Sequence, residues 1–179
     1  KVYENLGDVD FDAVRWVKGG YFLYEKALEA WLCENIDRRR GGGFWRALGA
    51  GSQNVRWFGN YLPFGVQGSS IDLVVLHNAR GAPRQAVCTV VELKRGPLSL
   101  KQYLLAAEQV RQYGHFMQHA LKAYGKKPEM RLVVLSGLPR GKQGNSPGVL
   151  LRGPRGRNPD VQWIGYKVMG GSRVKFHRI

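Results

Sequence analysis

The chain has 179 residues and a formal net charge of +15, from 28 Lys and Arg against 13 Asp and Glu. Its length and 44% hydrophobic content allow one sizeable core and argue for a single domain over residues 1–179. No run has the apolar length of a membrane span, the start KVYENLGDVDFD lacks a basic-then-apolar signal pattern, and two cysteines cannot build a disulfide framework or a four-cysteine metal site.

The expectation is therefore a soluble, cytoplasmic protein with no membrane partner, in which Cys33 and Cys88 serve as small buried hydrophobes. In chain order, the first periodic segment is YFLYEKALEAWLCENIDRR. It places Tyr24, Leu28, Trp31, Leu32 and Ile36 on one stripe of a helix and stops at a basic turn followed by glycines, RRRGGG. Strands are predicted near NVRWFG, SIDLVVL and AVCTVVEL. A second helix starts near Ser99, a good N-cap residue, with Tyr103, Ala107, Val110, Tyr113, Met117, Leu121 and Tyr124 on one face. MRLVVLSG reads as a buried strand, GLPRGKQGNSPGVLLRGPRGRNP as a surface loop, and VQWIGYKVMGGSRVKFHRI as a hairpin closed around GGS. The order α, three strands, α, strand, hairpin is an α/β arrangement around a mixed sheet, with a core over about residues 20–136 and an extension over 137–179.

Charge inside the buried strands is the first functional signal. Side chains alternate along a strand, so Glu92 and Lys94 share a face while Leu93 takes the other. The symmetric hairpin register pairs Leu76 with Cys88, brings Asp72 across from Glu92, and centres the turn on Ala82. Two carboxylates so close repel unless a cation separates them, and Mg²⁺ suits a site with one or two carboxylates. Lys94 beside such a cation can orient an attacking water or steady charge on a phosphoryl group. The competing reading is an ordinary solvated strand face. His115 and His119 are spaced for a metal, but they have no intervening HExxH glutamate and no third ligand, so a solvated helix face is the expectation. Trp45, Trp57, Phe58 and Tyr61 could stack on unpaired bases, although a core or sheet role is expected for them.

GSSIDLVV followed by VVELKRG resembles the Asp…Glu-x-Lys signature of the PD-(D/E)XK nuclease superfamily, with its first motif shortened to a lone Asp. The flanks resemble the RecB-like branch. YEKALEAWL offers Glu25, with Glu29 one turn later, and AEQVRQYGHF offers Gln109 and Tyr113, four apart on one helical face. Within that branch the ordered set, over roughly residues 21–135, is most similar to the nuclease domain of the NucS (EndoMS) mismatch endonucleases. The insert GPLSLKQYLLAAE is longer than in that family, and the basic C-terminal extension has no counterpart there. The resemblance implies a restriction-endonuclease-like core, α-β-β-β-α-β, to which the chain's own C-terminal β-hairpin extension is added. It implies an endonuclease using Mg²⁺ or Mn²⁺ to hydrolyse DNA in repair or in processing structured or mismatched DNA, in a prokaryotic setting, archaeal first, or a viral one. Asp72, Glu92 and the Leu93 carbonyl would hold the metal, with Glu25 binding it directly or through water. Lys94 would position the water, and Gln109 and Tyr113 would touch the phosphate or brace the lysine. The alternatives are a non-cleaving nucleic-acid-binding module on the same fold, or a junction resolvase or restriction-type nuclease.

Two segments carry the positive excess. One spans Arg38, Arg39, Arg40, Arg46 and Arg56 without an acid, and the other runs from Lys126 to the end with twelve bases against Glu129 and Asp160. Clustered charge of this kind favours a polyanion, DNA first. Arg38, Arg39, Arg40, Arg46, Arg152, Arg155, Arg157, Arg173 and Lys175 are the expected phosphate contacts. A homodimer is expected if both strands are cut.

Overall fold

The computed structural model describes residues 16–36, 42–48, 50–64, 69–79, 81–138, 160–169 and 173–179. In chain order these form β1 (Val17–Lys18), β2 (Tyr21–Phe22), α1 (Glu25–Ile36), α2 (Gly42–Leu48), β3 (Ala50–Phe64), β4 (Ser69–Ala79), β5 (Ala82–Pro97), α3 (Leu100–Ala123), β6 (Glu129–Gly137), β7 (Val161–Met169) and β8 (Arg173–Arg178). Strands β3 to β8 lie in sequence order in one six-stranded mixed sheet. β3, β4 and β5 meander antiparallel, β6 and β7 add in parallel, and β8 returns antiparallel. The chain is thus mixed α/β, with helices on both faces of the sheet.

Burial on both faces explains why the central strands read as nearly continuous Val, Leu and Ile. On one face Leu73, Val75, Val91, Leu93, Val133, Leu135, Ile164 and Tyr166 pack against Leu28, Trp31 and Leu32 of α1 and Phe44, Trp45 and Leu48 of α2. On the other, Val74, Cys88, Val90, Val134 and Trp163 meet Tyr103, Ala107, Val110, Tyr113 and Met117 of α3. Truncating a fully buried leucine such as Leu28 to alanine is expected to cost roughly 2–5 kcal/mol at such positions.

Local signals set the ends of α3. Ser99 accepts from the Gln102 amide while the Gln102 side chain accepts from the Ser99 amide, a complete capping box. Gly125, at φ +70, lets the chain leave the helix, with its amide donating to the Lys122 carbonyl.

Several expectations need correction. Tyr21–Phe22 is a strand, and Tyr24 precedes the helix at 55% exposure with its ring edge-on to Trp16, so α1 begins only at Glu25. Tyr124 at the end of α3 is 83% exposed. Trp45 is in the core and Phe58 packs against that core, while Trp57 and Tyr61 are sheet residues of β3, within the core-or-sheet expectation, at 45% and 51% exposure. Cys88 is buried while Cys33 is only partly so. The hairpin register pairs Leu76 with Cys88 as expected, but a shift after Asn78 pairs Ala79 with Ala82, so the hairpin does not centre on Ala82. The terminal hairpin is an integral part of the sheet, not an appendage, because β7 pairs with β6. Its GGS turn, the 139–159 loop, Arg38, Arg39, Arg40, Arg152, Arg155, Arg157 and the Ile36 side chain lie outside the described residues. Among the described residues no helix is long and apolar enough to cross a membrane.

Candidate active site

The acidic and basic groups of the central hairpin meet where β4 begins and β5 nears its end. Pairing runs from Leu76↔Cys88 to Leu73↔Val91, and the next step along each strand is Asp72 and Glu92. An Asp72 carboxylate oxygen accepts from the Leu93 amide at 2.8 Å, which pins the two strands at this level. Leu93 itself is 1% exposed and packs on the α1 side, so alternation turns Glu92 and Lys94 to the opposite face. The β5–β6 ladder is interrupted between Leu93 and Pro97, which leaves the main chain around Lys94 outside regular pairing.

Glu92 is 1% exposed. Its Oε1 accepts from Lys94 Nζ at 2.5 Å, while Oε2 is buried and has no hydrogen-bond partner among the described residues. Burial first, then repulsion from Asp72, push its pKa up to about 7 against the pull of Lys94. Asp72 is also raised, by burial and by the charges of Glu25 and Glu29, although the Leu93 amide and Lys94 work the other way. Burial works to lower Lys94, but the hydrogen bond and charge of Glu92, with Glu25 and Asp72, leave it above the ordinary lysine value. The cluster therefore holds more negative charge than its single lysine balances, and a buried carboxylate oxygen faces no donor.

The neighbouring elements contribute unequally. Glu25 opens α1, where the helix dipole favours a carboxylate, and it is exposed. It acts on Asp72, Glu92 and Lys94 through its charge. Gln109 Nε2 donates to the Tyr113 hydroxyl at 2.6 Å, and that hydroxyl feels the charges of Glu92, Asp72 and Lys94. α3 thus brings this pair beside the acidic cluster. His115 and His119 are exposed on α3, as the solvated-face reading expects.

Some residues have partners that the sequence did not convey. Glu29 is not part of a solvated helix face: it is 3% exposed, accepts from Asn60 Nδ2 at 2.8 Å and from Lys26 Nζ at 2.7 Å, and raises Asp72. Its spacing of four from Glu25 was the available signal. Lys26 Nζ also lies 4.1 Å from the centre of the Tyr61 ring, and Tyr61 has φ 53, a conformation few non-glycine residues adopt. Tyr166, whose hydroxyl accepts from the Phe22 amide and donates to the Arg95 carbonyl, ties β2 to the end of β5. The sequence offered Tyr61 only as an aromatic near the basic segment and did not mark Tyr166, because both roles depend on elements distant in sequence.

The donor chemistry fits a hard divalent cation. Asp72 and Glu92 offer carboxylate oxygens, one of them orphaned, in an over-negative pocket; Mg²⁺ takes one or two carboxylates and fills its shell with water. Among the described residues no group of three or more His, Cys, Asp or Glu side chains is arranged as a metal cage. Of the expected phosphate contacts inside the described set, Arg46, Arg173 and Lys175 are all exposed. Comparison with protein-family models, with curated proteins and with solved structures finds no match for this chain. What the chain does is therefore read from the chemistry of this site.

Proposed function

We propose that this chain is a divalent-metal-dependent endodeoxyribonuclease with a restriction-endonuclease-like core of the PD-(D/E)XK type, RecB-like branch, similar to the NucS nuclease domain. The observation that carries the reading is the convergence of Asp72, Glu92 and Lys94, with an unpartnered buried oxygen on Glu92. The sequence of elements α1, β3, β4, β5, α3, β6 supports it, since it has the order expected of that core once α2 is set aside. Asp72 and Glu92, with the Leu93 carbonyl, would hold Mg²⁺ or Mn²⁺. The bound cation would activate water and offset charge on the phosphoryl group. Lys94, steered by its bond to Glu92, places a positive charge beside the water and the scissile phosphate. Gln109 orients the Tyr113 hydroxyl, which borders the same pocket and can donate to a phosphate oxygen. Glu25 and Glu29 deepen the negative field that attracts the cation.

The test is cleavage of a labelled DNA panel (single-stranded, duplex, mismatched, flapped and four-way) with Mg²⁺, with Mn²⁺ and with EDTA. Metal-dependent cutting lost in both Glu92→Ala and Lys94→Ala is the expected outcome. Binding without cutting, indifferent to both substitutions, would instead make the protein a nucleic-acid-binding module.

A further inference from the structure

The C-terminal hairpin carries charge that its own packing does not explain. Lys167 on β7 pairs directly with Lys175 on β8, and both are exposed. Like charges directly opposite on one sheet face destabilise the pair. No carboxylate forms an ion pair with either lysine among the described residues. Guarding a sheet edge with lysine accounts for Lys175 at most, because β7 is an interior strand between β6 and β8.

The face and the end of the sheet on which they stand are informative. Tyr166, Val168, Val174 and Phe176 pack on the α1 side, so alternation places Lys167, Arg173, Lys175 and His177 on the other face. Glu92 and Lys94 share that face, as Val91 and Leu93 take the α1 side of β5. In register, Glu92 is level with Val134 and so with Trp163; Lys167 is four residues further along a parallel strand, toward the end where Lys94 lies. Two to three strand spacings of about 4.8 Å and four residues of about 3.3 Å separate the candidate active site from the lysine pair by roughly 16–20 Å. That span is about five base-pair steps of duplex at about 3.4 Å each.

A groove continues this basic face over the edge of the sheet. It has a volume of about 410 Å³ and is lined by Gly43, Arg46 and Ala47 of α2 and by residues 174–178 of β8, with Arg46, Lys175 and Arg178, the imidazole of His177 and no acid. Arg178 is held in place by its Nε bond to the Ala47 carbonyl, and Gly43 leaves no side chain over Phe176.

We propose that the Lys167–Lys175 pair, with Arg173 and the Arg46–His177–Arg178 groove, is a second phosphate-backbone site that grips a duplex DNA arm about five base pairs from the cut. It rests on the nuclease reading for the position of the cut, but not for the binding itself. A backbone phosphate held by each lysine offsets their mutual repulsion. Such contacts position the duplex without reading its sequence.

The test is equilibrium binding of a labelled duplex in EDTA, over a salt series, by wild type and by the Lys167→Gln/Lys175→Gln double variant. At about 0.9 per neutralised phosphate, the slope of log K against log salt should fall by about 1.8, with about ten-fold weaker binding at moderate salt. The melting temperature should hold or rise, because the substitution removes a cross-strand repulsion. Shortening one duplex arm below about five base pairs should weaken wild type more than the double variant, which keeps Arg173 and the groove. An unchanged slope, or an arm dependence identical in both proteins, overturns the second site, and the nuclease reading stands if metal-dependent cleavage persists. A lowered slope in a protein that cuts no DNA upholds the site and sinks the nuclease reading.

Discussion

At the scale of single residues, Asp72, Glu92 and Lys94 were legible because charge is out of place in strands otherwise made of Val, Leu and Ile. Glu29 was offered beside Glu25 by the resemblance, but its burial was not legible, because an acid on an amphipathic helix reads as solvent-facing until its partners are known. Asn60 lies 31 residues away on a strand whose placement no local pattern gives. Burial of Glu29 yields a prediction of its own. Glu29→Ala leaves Asn60 Nδ2 and Lys26 without this acceptor, and should lower stability by about 1–3 kcal/mol. Cleavage should fall far less than in Lys94→Ala, where loss of a charge aimed at the phosphate is expected to lower kcat by about 10²–10³. Urea denaturation and single-turnover cleavage of the two variants separate the roles. Equal loss of kcat in both would place Glu29 in the catalytic machinery and not beneath it.

At the scale of elements, patterns local in sequence were read well and close approaches were not. The Ser99 start of α3 and the core pairing of β4 with β5 follow from a cap and from a two-residue period. Helix α2 was missed because Gly42–Gly43 is poor helix chemistry; Phe44, Trp45 and Leu48 hold it by burial in the core instead. Gly137 shows what periodicity cannot convey. A Cβ there would stand 2.7 Å from the Gly96 carbonyl carbon, 2.8 Å from Pro97 N and 2.7 Å from Tyr21 Cδ1. Gly137→Ala must therefore push the end of β5, two to three residues beyond Lys94, and should cost about 1–3 kcal/mol together with part of the cleavage rate. Gly114→Ala is the comparison, because its Cβ would meet only the side chain of Leu132, closest at 2.5 Å, on the α3–β6 contact. It should cost stability while leaving kcat near wild type. Urea midpoints and cleavage rates measured on both would refute this if Gly137→Ala left both quantities untouched.

At the scale of the whole molecule, the six-stranded sheet was only partly legible. A hairpin signal specifies how β7 and β8 pair with each other, but the parallel union of β7 with β6 follows from a crossover that no short pattern encodes. Glu92 is buried at the heart of that sheet, and burial ties the stability of the whole fold to protons and cations. Glu92 is raised from 4.5 to about 7, so the folded chain binds a proton more tightly than the unfolded chain between those values. Stability without metal must then fall as pH rises through that window, by about 3 kcal/mol for this group, and Asp72, also raised, adds in the same direction. A divalent cation that binds only the folded, ionised pair should restore stability above pH 7, by an amount that grows with the logarithm of its concentration. Glu92→Gln, with no carboxyl to titrate, should melt higher than wild type at pH 8 in EDTA and respond little to Mg²⁺ or Mn²⁺. Melting curves across pH, with EDTA and with each metal, check both halves. If wild type and Glu92→Gln kept parallel profiles and the same metal response, the buried proton and the cation site would lie elsewhere than on Glu92.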